Sequence, residues 1–312
     1  MTNTITFKPK QVTKKILSGL QPRAYEVIIN RFGLSDDTQR KTLEAIGKKY
    51  GITRERVRQI ENAAITFIRK SDTFKNENQI FEELKRLVDT MGAIVSEQEL
   101  LSNLSKDKLT QNYIHFFLTL GNDFFKHKED DYFKTHWTIN ADTADKIRKT
   151  LNSIYENLSD DQLISEGDLI SRFLAEVSEL SEQYRNEEIA RRWLSISKKL
   201  SRNPLGEWGK TASPGIKTRG VKDYAYLMMK KHGSPMHFRE VAKAVAETFG
   251  KKCHIATCHN GLLKDKRFVL VGRGIYALAE WGYKTGVVKE VIRDLLKKNG
   301  PMKKEDIIEQ VM

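Results

Sequence analysis

Between Thr42 and Lys70, the apolar residues recur at the spacing of two short helices separated by a tight turn. Thr42 and Thr53 are suited to cap the two helices, and Gly51 tolerates the positive φ of the turn. At about 100° per residue, the second helix has an apolar stripe and an opposite polar stripe. The apolar stripe comprises Val57, Ile60, Ala64, Phe67 and Ile68, and the polar stripe comprises Arg54, Glu55, Arg58, Gln59 and Asn62. The pattern predicts a helix-turn-helix that exposes one face of its second helix.

The rest of the chain repeats short helical stripes, followed by aromatic or β-branched runs typical of strands. The repeats start about seventy residues apart, which favours an array of small domains over a solenoid. The predicted fold class is mainly α, a tandem array of small helix-turn-helix and winged-helix domains with short β-hairpin wings. The predicted domains are a helix-turn-helix at 1–75, a winged helix at 79–140, a helical, degenerate winged helix at 144–215, a winged helix at 216–283 and a partial helix-turn-helix repeat at 284–312.

A polar stretch, residues 71–78, precedes the winged helix at 79–140 and is predicted to be a linker. The pairs Phe124-Phe125 and Tyr132-Phe133 bracket a charged turn, which predicts a hairpin ending near Trp137. Such an aromatic cluster suits either stacking on single-stranded DNA or core packing. For a small domain we favour core packing.

Charge changes this picture, because the net charge of +13 is unevenly distributed. Residues 1–75 carry 16 Lys and Arg against 7 Asp and Glu, residues 76–215 carry 18 against 24, and residues 216–312 carry 20 against 10. Two basic ends are suited to neutralise phosphates. The acidic middle is expected to stay off DNA and to face a protein or solvent.

The two cysteines, Cys253 and Cys258, are too few for a disulfide framework and fit a reducing compartment. No apolar run approaches membrane-spanning length, and the first residues lack the apolar core of a signal peptide. We therefore expect a cytoplasmic protein with no membrane partner.

The polar stripe of the second helix has the chemistry of base recognition. Arginine reads guanine edges through two hydrogen bonds, glutamine reads adenine, and glutamate accepts from cytosine N4. A helix-turn-helix presents such residues at the start of its second helix to the major groove of DNA. The alternative is an ordinary solvated face of charged residues. The cap, the packing face and the side-chain chemistry coincide here, and we favour base reading.

The run GITRERVRQIENAAI closely resembles the recognition helix of region four in housekeeping-type bacterial sigma factors. The runs NRFGL at 30–34 and TLEAIG at 42–47 are similar to the preceding helix and the first helix of that helix-turn-helix. The resemblance covers residues 20–69, about a sixth of the chain. It implies that Arg54, Glu55, Arg58 and Gln59 face the bases of a promoter's upstream hexamer, and that Arg31, Thr42, Thr53 and Arg56 contact the DNA backbone. It also permits binding to the flap of RNA polymerase core.

The winged helix at 216–283 resembles the HARE-HTH family, through the HFREVA segment, the helix spacing and the GIYAL strand. That module occurs in the delta subunit of bacterial RNA polymerase, in some restriction endonucleases and in Asx-like chromatin proteins. Arg273 lies in the predicted wing tip and Arg239 near a helix start, and both are candidate contacts to a second stretch of DNA. For Arg239, a role at the helix cap or surface is equally compatible with the sequence.

Catalytic signatures are missing from the sequence, since it has no phosphate-binding loop, nucleophile elbow or zinc-protease motif. The run Cys253-His254 with Cys258-His259 has only one pair of ligands on a helix face, whereas zinc needs four in a tetrahedral array. We expect no enzyme activity, no metal and no cofactor.

Three functions remain open at this point. The first is sequence-specific binding of promoter-like double-stranded DNA in bacterial transcription. The segment with which sigma factors melt promoters has no counterpart here, so a regulator or accessory sigma-like subunit is expected. The second is the DNA-targeting part of a restriction or defence system. The third is a protein-interaction scaffold of RNA polymerase whose helix-turn-helix no longer binds DNA.

Overall fold

The structure, a computed structural model, describes residues 5–283, 292–293, 296–297 and 300–303. The described chain is mainly α-helical, with three small antiparallel sheets, as the predicted fold class requires. It divides into two compact units. The first unit comprises the chain up to Asn157 together with Gly167–Leu200, and the second comprises Leu158–Glu166 and the chain from Ser201 onwards.

The first unit begins with four helices that contain the predicted helix-turn-helix. Gly51 ends the third helix in the left-handed region, at φ +65°, with open space around its Cα. Gly47 is required for a different reason, since a Cβ there would lie 2.5 Å from the carbonyl oxygen of Ile52. The two glycines therefore set the tightness of the turn. The helices are α1 (Pro9–Leu17), α2 (Pro22–Phe32), α3 (Leu43–Tyr50) and α4 (Arg54–Lys70).

The predicted linker at 71–78 is wrong, because Ser71 caps a short helix through the backbone N–H of Phe74 and the chain stays helical. Beyond it, three helices and a three-stranded sheet in the order β1-β3-β2 form a winged helix. Its elements, with the short helix α5, are α5 (Asp72–Asn76), α6 (Asn78–Thr90), β1 (Ile94–Ser96), α7 (Glu97–Leu104), α8 (Lys108–Leu120), β2 (Phe125–His127) and β3 (His136–Thr138).

The hairpin in this winged helix pairs differently from the prediction. Its second strand lies at His136–Thr138, and Phe133 instead forms an isolated bridge to Ser197. Phe124, Phe133 and Trp137 are buried, which agrees with core packing. Phe125 and Tyr132, however, are 52% and 47% exposed. The aromatic cluster thus divides between core and surface.

Helix α8 joins the winged helix to the helix-turn-helix through one continuous apolar core. Phe116 is fully buried and lies edge-on to Phe32 of α2, with ring centroids 5.0 Å apart. The buried amide of Asn112 donates to the carbonyl oxygens of Gly33 and Thr38, at 2.8 and 2.9 Å. The third helix of this winged helix therefore has most of its side chains engaged in internal packing.

A polar cluster lies beside this core. Glu97 accepts from Lys126 Nζ at 2.6 Å and from Trp137 Nε1 at 2.9 Å, and Arg40 lies 3.9 Å away. Lys126 also hydrogen-bonds His115 Nε2 at 3.0 Å. Burial, reinforced by the positive charge of Arg40, lowers the pKa of His115 to about 3. The imidazole is therefore neutral in the folded protein.

These buried imidazoles predict that stability falls with acidification. Burial lowers the pKa of His136 to about 4, in the same direction as that of His115. Because the unfolded chain takes up protons near pH 6.5 and the folded chain does not, the free energy of unfolding should decline as the pH falls from 6.5 towards 4. Urea unfolding between pH 7 and 5 measures this slope. The H115Q/H136Q variant should show a shallower one, and an equal slope would contradict the account.

Three further helices follow the winged helix. Trp193 is fully buried, and its Nε1 donates to the carbonyl oxygen of Gly92 at 3.0 Å. The Tyr184 hydroxyl hydrogen-bonds Asp89. The segment predicted as one domain at 144–215 contributes to both compact units, since its helices lie in the first and two of its strands in the second. The helices are α9 (Ala141–Asn157), α10 (Glu166–Glu176) and α11 (Glu187–Ile196).

The second unit contains a winged helix over the predicted region, with its sheet in the order β7-β9-β8. Arg267, just before β8, forms ion pairs with Asp223 of α12 at 2.7 Å and with Asp265 at 2.8 Å. A separate sheet has the order β4-β6-β5. The predicted partial repeat at 284–312 falls almost entirely outside the described residues. The elements are β4 (Ile164–Ser165), β5 (Leu200–Arg202), β6 (Glu207–Lys210), α12 (Val221–His232), β7 (Met236–His237), α13 (Phe238–Phe249), α14 (Ile255–Lys264), β8 (Phe268–Leu270) and β9 (Ile275–Leu278).

Candidate nucleic-acid interface

The exposed face of α4 carries the four predicted base-reading residues. Arg54, Glu55, Arg58 and Gln59 are all exposed, and no later part of the first unit covers them. The opposite face is anchored by Val57, which is fully buried in a small core with Val27 and Ile46. The structure therefore presents these side chains outward from a fixed helix.

The exposed side chains of α4 pair with one another along the helix. Arg58 donates to Glu55 through Nη2 at 2.6 Å and Nε at 2.9 Å, and Arg56 donates to Gln59 Oε1 at 3.0 Å. The hydrogen bond from Arg58 is the main reason that the pKa of Glu55 is lowered. Such exposed pairs contribute little to stability, so a ligand can replace them at low cost.

The apolar stripe of α4 is only partly buried, which corrects the prediction. Val57, Ala64 and Ile68 are buried, but Ile60 is half-buried and Phe67 is 52% exposed. Gly19 lies against the Phe67 ring, where a Cβ would come within 3.3 Å of Cε1. The open side of α4 is therefore an apolar groove, which we define by Leu20, Ala24, Ile60, Ala63 and Phe67.

The candidate backbone contacts lie at the helix starts and beside them. Thr42 Oγ1 accepts from the backbone N–H of Ala45, and Thr53 Oγ1 accepts from that of Arg56, both at 3.1 Å. Each hydroxyl keeps its own hydrogen for a phosphate, and each helix start is favourable for an anion. Arg31 is already engaged, by Glu61 at 3.3 Å and by the Lys41 carbonyl oxygen at 3.2 Å.

Two long-range contacts that join the helix-turn-helix to α8 were not predicted from the sequence. Arg69, in the last turn of α4, donates to the carbonyl oxygens of Thr119 and Leu120, at 2.9 and 3.0 Å. Arg40 donates to Asn112 Oδ1 at 2.8 Å. Both contacts join segments at least 50 residues apart, and no local pattern identifies them.

In the second unit, Arg239 and Arg273 are both exposed. Arg239 lies in the first turn of α13, with its guanidinium 5.9 Å from the Phe238 ring. His237 caps this helix by accepting from the backbone N–H of Arg239 at 3.3 Å. Arg273 occupies the turn between β8 and β9, which is the wing tip.

The described part of the chain lacks two further kinds of feature. It contains no group of three or more His, Cys, Asp and Glu side chains placed to hold a metal ion. Over the same residues, no helix is long and apolar enough to cross a membrane.

Comparison with known proteins agrees with both resemblances. Residues 16–70 match the sigma-70 region 4 family. Residues 219–281 match the HARE-HTH family, a helix-turn-helix domain described from ASXL proteins and restriction endonucleases among others. These two domains support DNA binding in transcription.

The similar curated proteins are bacterial RNA polymerase sigma factors. RpoD of Helicobacter pylori is 50% identical over 60 residues, which is 19% of this chain and 9% of that protein. SigA of Clostridium acetobutylicum is 48% identical over 60 residues, 19% of this chain and 16% of that protein. SigA of Nostoc sp. is 42% identical over 73 residues, which is 23% of this chain and 17% of that protein. The chain thus spans less than a fifth of the length of these relatives.

Loss of the α4 cap should have a moderate effect. Replacing Thr53 by alanine removes the acceptor for the Arg56 N–H, so the free energy of unfolding should fall by about 1 kcal/mol. Thr53→Ser keeps the hydroxyl and should retain most of the free energy of unfolding that Thr53→Ala loses. Thr66→Ala changes an exposed threonine of the same helix and serves as the control. Urea unfolding measures all three, and equal losses at Thr53 and Thr66 would refute the capping role.

Proposed function

We propose that this protein binds double-stranded DNA sequence-specifically, without catalytic activity, and regulates initiation of bacterial transcription at promoter-like sites. The observation that carries this proposal is the α4 face, where Arg54, Glu55, Arg58 and Gln59 project from a capped helix anchored on its other side. The sigma-70 region 4 match covers the same residues.

The geometry of α4 suits entry into the major groove. The groove is about 12 Å wide and admits one α-helix. Arg58 and Gln59 lie in the second turn of α4. They therefore reach base edges when the start of α4 approaches the sugar-phosphate backbone of the DNA. There the hydroxyls of Thr42 and Thr53 and the guanidinium of Arg56 would contact phosphates. On binding, Arg58 would exchange its bonds to Glu55 for a guanine edge.

An association with RNA polymerase is the second part of the proposal, and the named function of the sigma factor relatives supports it. Helix α8 covers the side of α1 and α2 that contains Phe32. A polymerase contact would therefore use the apolar groove beside α4, where Phe67 is exposed. Arg23 also lines this groove, and it favours a surface with acidic residues.

Selection of bound sites from random duplex DNA, with and without polymerase core, tests both parts. We expect enrichment of a hexamer similar to TTGACA by the protein alone, and retention of polymerase on the selected duplex. Phe67→Ser should abolish that retention while leaving the selected sequence unchanged. Enrichment of no sequence would overturn the DNA-reading part. Retention that is unaffected by Phe67→Ser would overturn the assignment of the groove.

A further inference from the structure

The exposed face of α14 in the second unit differs in chemistry from that of α4. Cys258 and Leu262 anchor α14 in the core, at 1% exposure each. On the outer side, Ile255 and Leu263 are 50% and 60% exposed, the highest values among the large aliphatic side chains of the described residues. Ala256, Thr257 and Asn260 are also exposed. The helix therefore offers solvent a largely apolar face with one amide.

Cations surround this face. Lys251 and Lys252 precede α14, Lys264 is its last residue, Lys266 follows it, and Arg273 lies on the wing tip, all exposed. Within the described residues, none of the five forms an ion pair, although Lys251 lies 5.9 Å from the Tyr224 ring. The acids between α13 and β8 are engaged, since Glu240 caps α13, Glu247 pairs with Lys243, and Asp265 pairs with Arg267. An apolar centre with a purely cationic rim complements a polyanion.

The wing tip is fixed beside the same surface. His259 lies between Ile255 and Leu263 on one stripe of α14, and its ring packs at a tilt against Phe238, with centroids 4.4 Å apart. The backbone N–H of Phe238 donates to the carbonyl oxygen of Gly274 at 2.9 Å. Gly274 has φ +74°, and a Cβ there would lie 2.7 Å from His237 Nε2. Arg273 is thus held next to the start of α13 and to the α14 stripe.

From this arrangement we propose that α14 and the wing bind A/T-rich duplex DNA, reading the methyl groups of thymine with Ile255 and Leu263. Apolar side chains contact the thymine methyl in the major groove, and asparagine reads adenine through two hydrogen bonds, which is the role of Asn260. A-tracts have a narrow minor groove of strong negative potential that attracts arginine, which is the role of Arg273. The lysines at both ends of α14 contact phosphates.

This proposal deepens the DNA-binding function and rests on it, but it uses a surface distinct from α4. The two helices differ in what they would read. On α4, arginine, glutamate and glutamine suit mixed sequences with guanine and cytosine, whereas Ile255, Asn260 and Leu263 of α14 suit thymine and adenine. Variants of one helix therefore leave the reading by the other intact.

The test uses the full-length protein and three duplexes of equal length without a TTGACA-like hexamer. One is A/T-rich, one is G/C-rich, and one is the A/T-rich duplex with deoxyuridine in place of thymidine. Deoxyuridine removes only the methyl group and keeps every base-pairing and groove hydrogen-bonding group. We expect tighter binding to the A/T-rich duplex, and a loss of about fourfold for each contacted methyl on the deoxyuridine duplex.

The variants separate this surface from α4. Leu263→Ser and Asn260→Ala should reduce the A/T preference, and Leu263→Ser should become less sensitive to deoxyuridine, with Ile255 retaining the rest. Arg58→Ala should keep both effects while its preference within the hexamer relaxes at one base pair. All three side chains are exposed, and melting temperatures confirm that the variants fold. Equal affinity for the A/T-rich and G/C-rich duplexes, or unchanged sensitivity to deoxyuridine in Leu263→Ser, would overturn the proposal. Loss of the preference in Arg58→Ala would assign it to α4 instead.

Discussion

Replacing Arg58 by alanine should weaken binding to the preferred duplex by about 1–3 kcal/mol and relax sequence preference at one base pair. The guanidinium is exposed in the second turn of α4 and is oriented along the helix by two bonds to Glu55. The major-groove edge of guanine offers two acceptors, and the forked guanidinium of Arg58 can donate a hydrogen bond to each. Removing the fork leaves those acceptors without protein partners, and the remaining phosphate contacts do not distinguish one base from another.

Two further variants separate base reading from simple loss of charge. Arg58→Lys retains the positive charge but not the planar fork, so it should lose specificity while nearly retaining the salt dependence of binding. Lys70→Ala removes an exposed cation from the other end of α4 and should leave specificity unchanged. Titrations on the preferred duplex and on single-base variants of it measure both quantities. An equal loss on every sequence would instead identify Arg58 as a phosphate contact.

Replacing Phe116 by alanine should reduce the free energy of unfolding by about 3–5 kcal/mol, the usual cost for a fully buried phenylalanine. The ring lies between the helix-turn-helix and the winged helix, edge-on to Phe32 and 6.1 Å from the Phe117 ring. The small core around Val27, Ile46 and Val57 is too small to hold the helix-turn-helix alone. The substitution should therefore destabilise both domains together.

Two probes can follow the two domains separately during urea unfolding. Tryptophan fluorescence, in a background with Trp208 and Trp281 of the second unit replaced by phenylalanine, reports on Trp137 and Trp193, because residues 1–75 contain no tryptophan. Binding to the preferred duplex reports on α4. The fluorescence transition and the binding transition should coincide whether or not Phe116→Ala is present. Phe116→Ala should move both transitions to lower urea concentrations. Phe125→Ala removes a ring that is 52% exposed and should leave both transitions at their original urea concentrations. Retention of DNA binding after the tryptophans have unfolded would contradict the shared core.

The recognition helix could be predicted from sequence because its signals are local. The caps at Thr42 and Thr53, the turn at Gly51 and the exposed residues of α4 lie within one continuous segment, and the structure has them as predicted. The wing at 268–278 could also be predicted from local signals, because its two strands flank a short glycine-containing turn. In both cases, residues close in sequence determine the geometry.

The features that sequence reasoning missed depend on distant partners. Phe67 has helical spacing for the core, but it is 52% exposed where it lines the apolar groove. The aromatic pair Tyr132-Phe133 resembles a strand, yet Phe133 pairs with Ser197, more than sixty residues away. Residues 71–78 are polar like a linker, but Ser71 caps a helix there. No periodicity encodes which surface a distant segment will cover.

The central claim is that α4 reads guanine in the major groove through Arg58, and substitution of single guanines by 7-deazaguanine in the selected duplex tests it most directly. The substitution removes the N7 acceptor in the major groove and leaves base pairing and the minor groove intact. At one position, it should weaken binding of the wild type and have no further effect on Arg58→Ala. Equal losses in both proteins, or no loss at any guanine, would show that Arg58 does not read the bases.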